Sequence, residues 1–123
     1  MSVEFWSTSH TALGWALMLS NGAAGFWSLG AIRWHALRHR SLWWLLGAAW
    51  VLVFVQLTAG VILMRVAAVD APAFHVFYGA CCAVAVLFVY AYRQQLTHRR
   101  YELFGLGALF IMGLAIRAMF LGG

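Results

Sequence analysis

LWWLLGAAWVLVFVQLTAGVILM, from Leu42 to Met64, is a continuous apolar stretch closed on one side by Arg40 and on the other by Arg65. As a helix rising about 1.5 Å per residue, it is long enough to cross a hydrocarbon core of about 30 Å. Three more stretches of the same kind surround it. HTALGWALMLSNGAAGFWSLGAI runs from His10 to Ile32, and a third span follows Asp70 and Pro72, a helix-opening pair, from about Ala73 to Tyr92. LFGLGALFIMGLAIRAMFL runs from Leu103 to Leu121. The sequence therefore predicts an all-α fold, a four-helix transmembrane bundle with up-down-up-down topology, as a single domain over residues 1–123.

Composition agrees with that reading. Of 123 residues, 65% are apolar and 9% charged, with a single proline, which a water-soluble domain of this size does not accommodate. The net charge of +5 comes from eight arginines against Glu4, Asp70 and Glu102. In so apolar a chain this excess marks topology, and nucleic acid is not an expected partner. Arg33, Arg38 and Arg40 fall between spans one and two, and Arg93, Arg99 and Arg100 between spans three and four. Those loops are expected to be cytoplasmic, with both termini outside, in a bacterial cytoplasmic membrane. The start, MSVEFWSTSH, lacks the basic region of a secretory signal, so the first apolar stretch is expected to stay as a span. Trp6, Trp34, Trp43, Trp44 and Tyr101 fall where interfacial anchors are expected. Cys81 and Cys82 are adjacent within an apolar run and read as small buried hydrophobes. Short loops make sequence neighbours the expected spatial neighbours.

Two histidines carry the functional signal. HTALG, from His10, and HVFYG, from His75, each place a glycine, Gly14 or Gly79, four residues after the histidine. Spans one and three are parallel in this topology, so both histidines are expected about one turn inside their helices at matching depth. Ser7 or Thr8 would cap the first helix, and Asp70 with Pro72 would open the third. An ionisable side chain in an apolar span is costly and turns toward the bundle interior, where a partner or ligand compensates it. Two at one depth suggest a shared ligand. A glycine at i+4 shares its histidine's face and removes bulk where a flat group would approach. A porphyrin is such a group, its iron accepting one neutral imidazole from each side. Arg65 and Arg117 then fall at histidine depth, where their planar forks would suit the haem propionates.

Other residues read more plainly. His35 and His39 have the i, i+4 spacing of metal ligands, but they sit in an arginine-rich loop without a carboxylate or thiolate. His98 stands beside two arginines and reads as topology. Asn21 and Gln56 are amides within spans, suited to bonding across helices or to lining a cavity. Met18, Met64, Met112 and Met119 could ligate iron in principle, yet methionine is ordinary filler in apolar bundles.

VQLTAGVILMRVAAVDAPAFHVFYGACCAVAVL, from Val55 to Leu87, resembles two successive helices of one half of the haem A synthase family. HTALGWALMLSNGAAGFW, from His10 to Trp27, is similar to the preceding histidine-bearing helix. The resemblance implies a four-helix half bundle with a haem near the outer surface, held by His10 and His75, with Gln56 and Gly60 matching a glutamine-glycine signature. Ser7 and Thr11 stand where that family carries a glutamate and an arginine, which points away from synthase chemistry and toward small b-type membrane cytochromes. The expectation is a haem b protein, one haem per chain, transferring single electrons beside a respiratory chain as a carrier or subunit rather than as a stand-alone catalyst. The cofactor-binding residues would be His10, His75, Arg65, Arg117, Gly14, Gly79 and Gln56, with His10 and His75 on the metal. Membrane lipid, a homodimer or a larger respiratory complex, and a quinone are the expected partners. Two alternatives are a cofactor-free structural or assembly subunit, and a haem-modifying membrane enzyme.

Overall fold

A computed structural model describes residues 3–122 as four helices, α1 (Val3–Arg33), α2 (Arg40–Ala67), α3 (Ala73–Tyr92) and α4 (Arg100–Gly122). Single 3-10 turns at His35–Leu37 and Thr97–Arg99 occupy two of the connections. Among the described residues there is no strand. α2, α3 and the stretch 97–121 are each long and apolar enough to cross a membrane, with mean hydropathy of 2.2, 1.9 and 2.0. The protein is thus a helical membrane protein. α1 is less apolar than these three and carries the buried polar side chains Asn21 and Ser28.

The register of cross-helix contacts fixes the topology. His10 meets Gln56 and Asn21 meets Trp50, so α1 and α2 are antiparallel. The Ser28 hydroxyl donates to the Tyr101 carbonyl at 2.8 Å, while Gly25 lies beside Gly105 and Leu109, so α1 and α4 are antiparallel too. His75 against Ala118 and Cys82 against Ile111 set α3 antiparallel to α4. The bundle runs up-down-up-down, with the start of α1 and the end of α4 at one end.

Packing around the bundle is uneven. α1 lies along both α2 and α4, and α4 along α3, whereas α2 and α3 meet sparsely. Sequence neighbours were expected to be spatial neighbours, and this pair is the exception: after Ala68 the connection through Asp70 and Pro72 carries the chain to α4's flank. The tightest crossing is α1 on α4. A Cβ on Gly25 would lie 3.1 Å from the Gly105 carbonyl oxygen, and one on Gly105 would lie 3.2 Å from that of Gly25. Without water in the surroundings, such close approach of small residues is a principal source of helix association. Leu17, Leu42, Leu46, Val53 and Ile111 fill the centre, while Trp44, Phe26, Phe88 and Phe120 point outward.

Helix ends follow from local chemistry. The His39 imidazole accepts a hydrogen bond from the Ser41 amide at 3.1 Å and so caps α2. The Arg38 side chain donates to the Ala31 and Ile32 carbonyls, closing the C-terminus of α1. Ala68 ends α2 in the left-handed conformation, φ 55°, with the Val69 amide returning to the Met64 carbonyl at 3.2 Å.

Several expectations shift. The bounds expected for α3 are met, but α1 starts at Val3 and α2 and α4 run one to three residues beyond the apolar stretches. Ser7 and Thr8 therefore lie inside α1 and cap nothing, because Val3 to Trp6 already continue the helix. Tyr101 is buried, with the half-buried Trp43 packed on it at 5.4 Å between ring centres, so Tyr101 belongs to the packed interior rather than to the anchors expected at the surface.

Candidate functional site

His10 lies two turns into α1 and His75 is the third residue of α3, so their positions along the helices differ. Their heights in the bundle nevertheless agree. α1 and α3 stand on a diagonal, and the two imidazoles meet across it with ring centres 5.9 Å apart and planes inclined at 70°. Both rings are half-buried.

Each ring is held by a different device. The Nδ1 of His75 lies 2.7 Å from the Ala118 carbonyl oxygen. A carbonyl can accept but not donate, so Nδ1 carries a proton, and in the neutral ring the lone pair then lies on Nε2. On α1, the Gln56 amide nitrogen donates to the backbone carbonyl of His10 at 2.7 Å. This draws the Gln56 carboxamide beside the His10 ring. The ring's Nδ1 and the Gln56 Oε1 are both buried without a hydrogen-bond partner, an arrangement that costs free energy unless the two groups pair with each other or with a ligand.

The glycines serve the histidines differently from expectation. A Cβ at Gly60 would stand 3.0 Å from the His10 Cε1, so α2 lets the ring lie against its backbone. A Cβ at Gly14 would stand 3.2 Å from the Gln56 amide nitrogen, and one at Gly79 would touch Leu57 at 3.5 Å. Gly14 and Gly79 thus make room for α2 side chains rather than for a flat group, because Gln56 and Leu57 already occupy their faces.

Arg65 and Arg117 are exposed at the same end of the bundle. Among the described residues neither makes a hydrogen bond or an ion pair. Arg65 lines a hollow of about 550 Å³ with Val61, Met64, Val69 and Asp70. Arg117 directly precedes Ala118, the residue that holds His75. A second, apolar groove of about 610 Å³ runs between α1 and α2 past Trp6, Ser9, Leu13, Val55 and Thr58.

The other candidates have structural roles. His39 caps α2, and Met64 accepts from the Ala71 amide through its sulfur at 3.4 Å. Cys82 is buried against the Ile111 carbonyl, and both cysteines are free. Asn21 is fully buried, donating to the Leu17 carbonyl at 2.9 Å and accepting from the Trp50 indole at 3.1 Å, which makes it an interhelical bond rather than a cavity lining. Ala118 had no sequence signal, since it contributes a backbone carbonyl. The contact between Gly60 and His10 was legible only as part of a motif.

The separation of the two rings is that of a pair able to share one metal. A metal–imidazole bond of about 2 Å on each side puts two ring centres about 6 Å apart, close to the 5.9 Å between these rings. Among the described residues no group of three or more His, Cys, Asp or Glu side chains gathers at any point. No protein-family model, curated protein or solved structure matches this chain.

Proposed function

We propose that the protein is a b-type membrane cytochrome that holds one haem between His10 and His75 and passes single electrons beside a respiratory chain in a bacterial cytoplasmic membrane. The observation that carries this reading is the meeting of two imidazoles, from helices that otherwise do not pack together, at the spacing of ligands to one iron. A structural zinc site needs four protein donors. Two suffice where a macrocycle supplies the remaining four, as in haem.

Haem supplies a one-electron couple when bound, and this chain's residues determine how that couple is used. The Ala118 carbonyl fixes the tautomer of His75, so that Nε2 is the ligating nitrogen. Gln56 would do the same for His10 by accepting a hydrogen bond from Nδ1–H through its Oε1, both groups being buried side by side without another partner. With His10 and His75 both holding it, a haem would have no site left for oxygen or substrate, which favours an electron carrier over an oxygen-activating or haem-modifying enzyme. Arg65 and Arg117, exposed at the histidine end, are long enough to fold back onto carboxylates such as the propionates. A membrane quinone is the electron partner this reading favours, and the apolar groove past Ser9 and Leu13, close to His10 along α1, is where its tail would lie.

A cofactor-free packing subunit is the second reading, favoured by the filling of the Gly14 and Gly79 faces by Gln56 and Leu57. An absorption spectrum separates the two. Protein purified in detergent should show sharp reduced bands that disappear in His10→Ala and in His75→Ala and persist in His39→Ala. A colourless wild-type protein after expression with haem supplied would leave the packing reading.

A further inference from the structure

We infer that the end of the bundle opposite the histidines carries a binding site for the phosphodiester headgroup of an anionic phospholipid, built from Arg38 and Arg100 around an aromatic shelf of Tyr101 and Trp43. This inference is independent of the haem reading. Its starting point is a crowding of like charge. The guanidinium carbon of Arg38 lies 4.8 Å from the centre of the Tyr101 ring, and that of Arg100 lies 5.1 Å from the same centre and 5.6 Å from that of Trp43. Two cations therefore converge on one buried tyrosine.

Nothing in the protein neutralises them. Among the described residues the one salt bridge joins Arg99 to Glu102 at 3.6 Å, and neither Arg38 nor Arg100 reaches a carboxylate. Arg100 has a single polar contact, at 3.4 Å to the Tyr101 hydroxyl, which leaves most of its donors unused. Arg38 is held in place by the Ala31 and Ile32 carbonyls through Nε and Nη2, so its second terminal nitrogen remains. Interaction with the ring faces offsets part of the cost of placing both cations here, but an anion between them would offset more. Arg33, Arg40, Arg93 and Arg99 share this end of the bundle and strengthen the field.

Chemistry and place identify the anion. In an apolar helical bundle this end meets the headgroup layer, where phosphodiesters are the abundant anions and basic pockets between helices bind them. Guanidinium forks match the paired oxygens of a phosphate. Trp43, half-buried and fixed between the buried Tyr101 and Phe104, with ring centres 5.4 and 5.2 Å away, gives the glycerol and first acyl carbons an aromatic surface. A dispersed positive-inside charge would need none of this convergence. Arg33, for example, stacks at 5.7 Å on its own neighbour Trp34.

The test is native mass spectrometry of the full chain released from detergent with phosphatidylglycerol, phosphatidylcholine or inorganic phosphate. One tightly retained phosphatidylglycerol per chain is expected, with phosphatidylcholine retained far less. An arginine near the lipid surface is worth about fivefold in affinity, so Arg100→Gln, which removes that charge and its contacts on the aromatic shelf, should weaken retention at least fivefold, while Arg33→Gln, which removes only a charge from the same end, should weaken it distinctly less. Arg100→Lys should recover part of the loss, and circular dichroism of each variant verifies its helix content. Equal retention of the two lipids, an equal loss in Arg33→Gln and Arg100→Gln, or displacement of the lipid by millimolar inorganic phosphate would overturn the assignment.

Discussion

Replacing Gly60 by alanine separates the stability of the bundle from the geometry of its histidine pair. The new Cβ would lie 3.0 Å from the His10 Cε1 and 3.6 Å from its Nδ1. Ordinary contact begins near 3.4 Å, so the ring must retreat by about 0.4 Å, beyond the ±0.2 Å within which metal–ligand distances are normally held. Disturbing the groups that orient a metal's imidazole costs about 10- to 100-fold in affinity. Gly60→Ala should therefore lower haem affinity by that factor, read by haem titration of the apoprotein in detergent. The bundle itself should not suffer. Alanine is better than glycine in a helix interior by about 0.5–1 kcal/mol, enough to offset a small shift of one half-buried ring. Gly113→Ala is the control, because a Cβ there meets nothing within 4 Å. It should leave the haem titration unchanged. Wild-type haem affinity in Gly60→Ala would refute the placement of His10 against α2.

Further outcomes follow from the same packing. Gly25→Ala drives a Cβ to 2.7 Å from Leu109 Cγ and 3.1 Å from the Gly105 carbonyl oxygen, and should lower unfolding stability by about 1–3 kcal/mol as overpacking does, measured by denaturant titration in mixed micelles. Asn21→Leu removes the acceptor of the Trp50 indole, and should cost about 0.6–2 kcal/mol in the same assay. Ala68→Gly relieves a left-handed alanine at the end of α2, and should raise stability by about 1 kcal/mol, seen as a higher melting temperature. Gln56→Leu keeps the volume of the side chain but removes both its bond to the His10 carbonyl and the orphaned Oε1. It should weaken haem binding about tenfold in the apoprotein titration.

The four helices were legible because apolar runs of membrane-spanning length leave few other structures open. α3 was readable to its end residues, since Pro72 and Arg93 punctuate it sharply. α1 was not, because polar residues between Val3 and Ser9 hid a helix that begins before the apolar run does. The histidine pair was readable from its position near the ends of two parallel spans, although the reasoning through caps and equal helix depth was wrong in detail. What brings the rings to one height is the antiparallel register of α4, which packs against both α1 and α3, and that register is set by Gly25, Gly105 and other small residues with no chemical signature of their own. The glycines four residues on meet α2 side chains where a flat group was expected. Their neighbours Gln56 and Leu57 come from α2, and a pattern read along one helix does not reveal what another helix inserts. The convergence of Arg38 and Arg100 on Tyr101 was hidden for a similar reason: in sequence these arginines are indistinguishable from the other four at their end of the bundle.

Electron paramagnetic resonance of the oxidised protein reads out whether His10 and His75 hold a single iron. Two imidazoles inclined at 70° should give ferric haem a low-spin signal with the strong anisotropy of nearly perpendicular axial planes, absent from His10→Ala and from His75→Ala alike. A high-spin axial signal, or an unchanged low-spin signal in either variant, would contradict ligation of one iron by this pair.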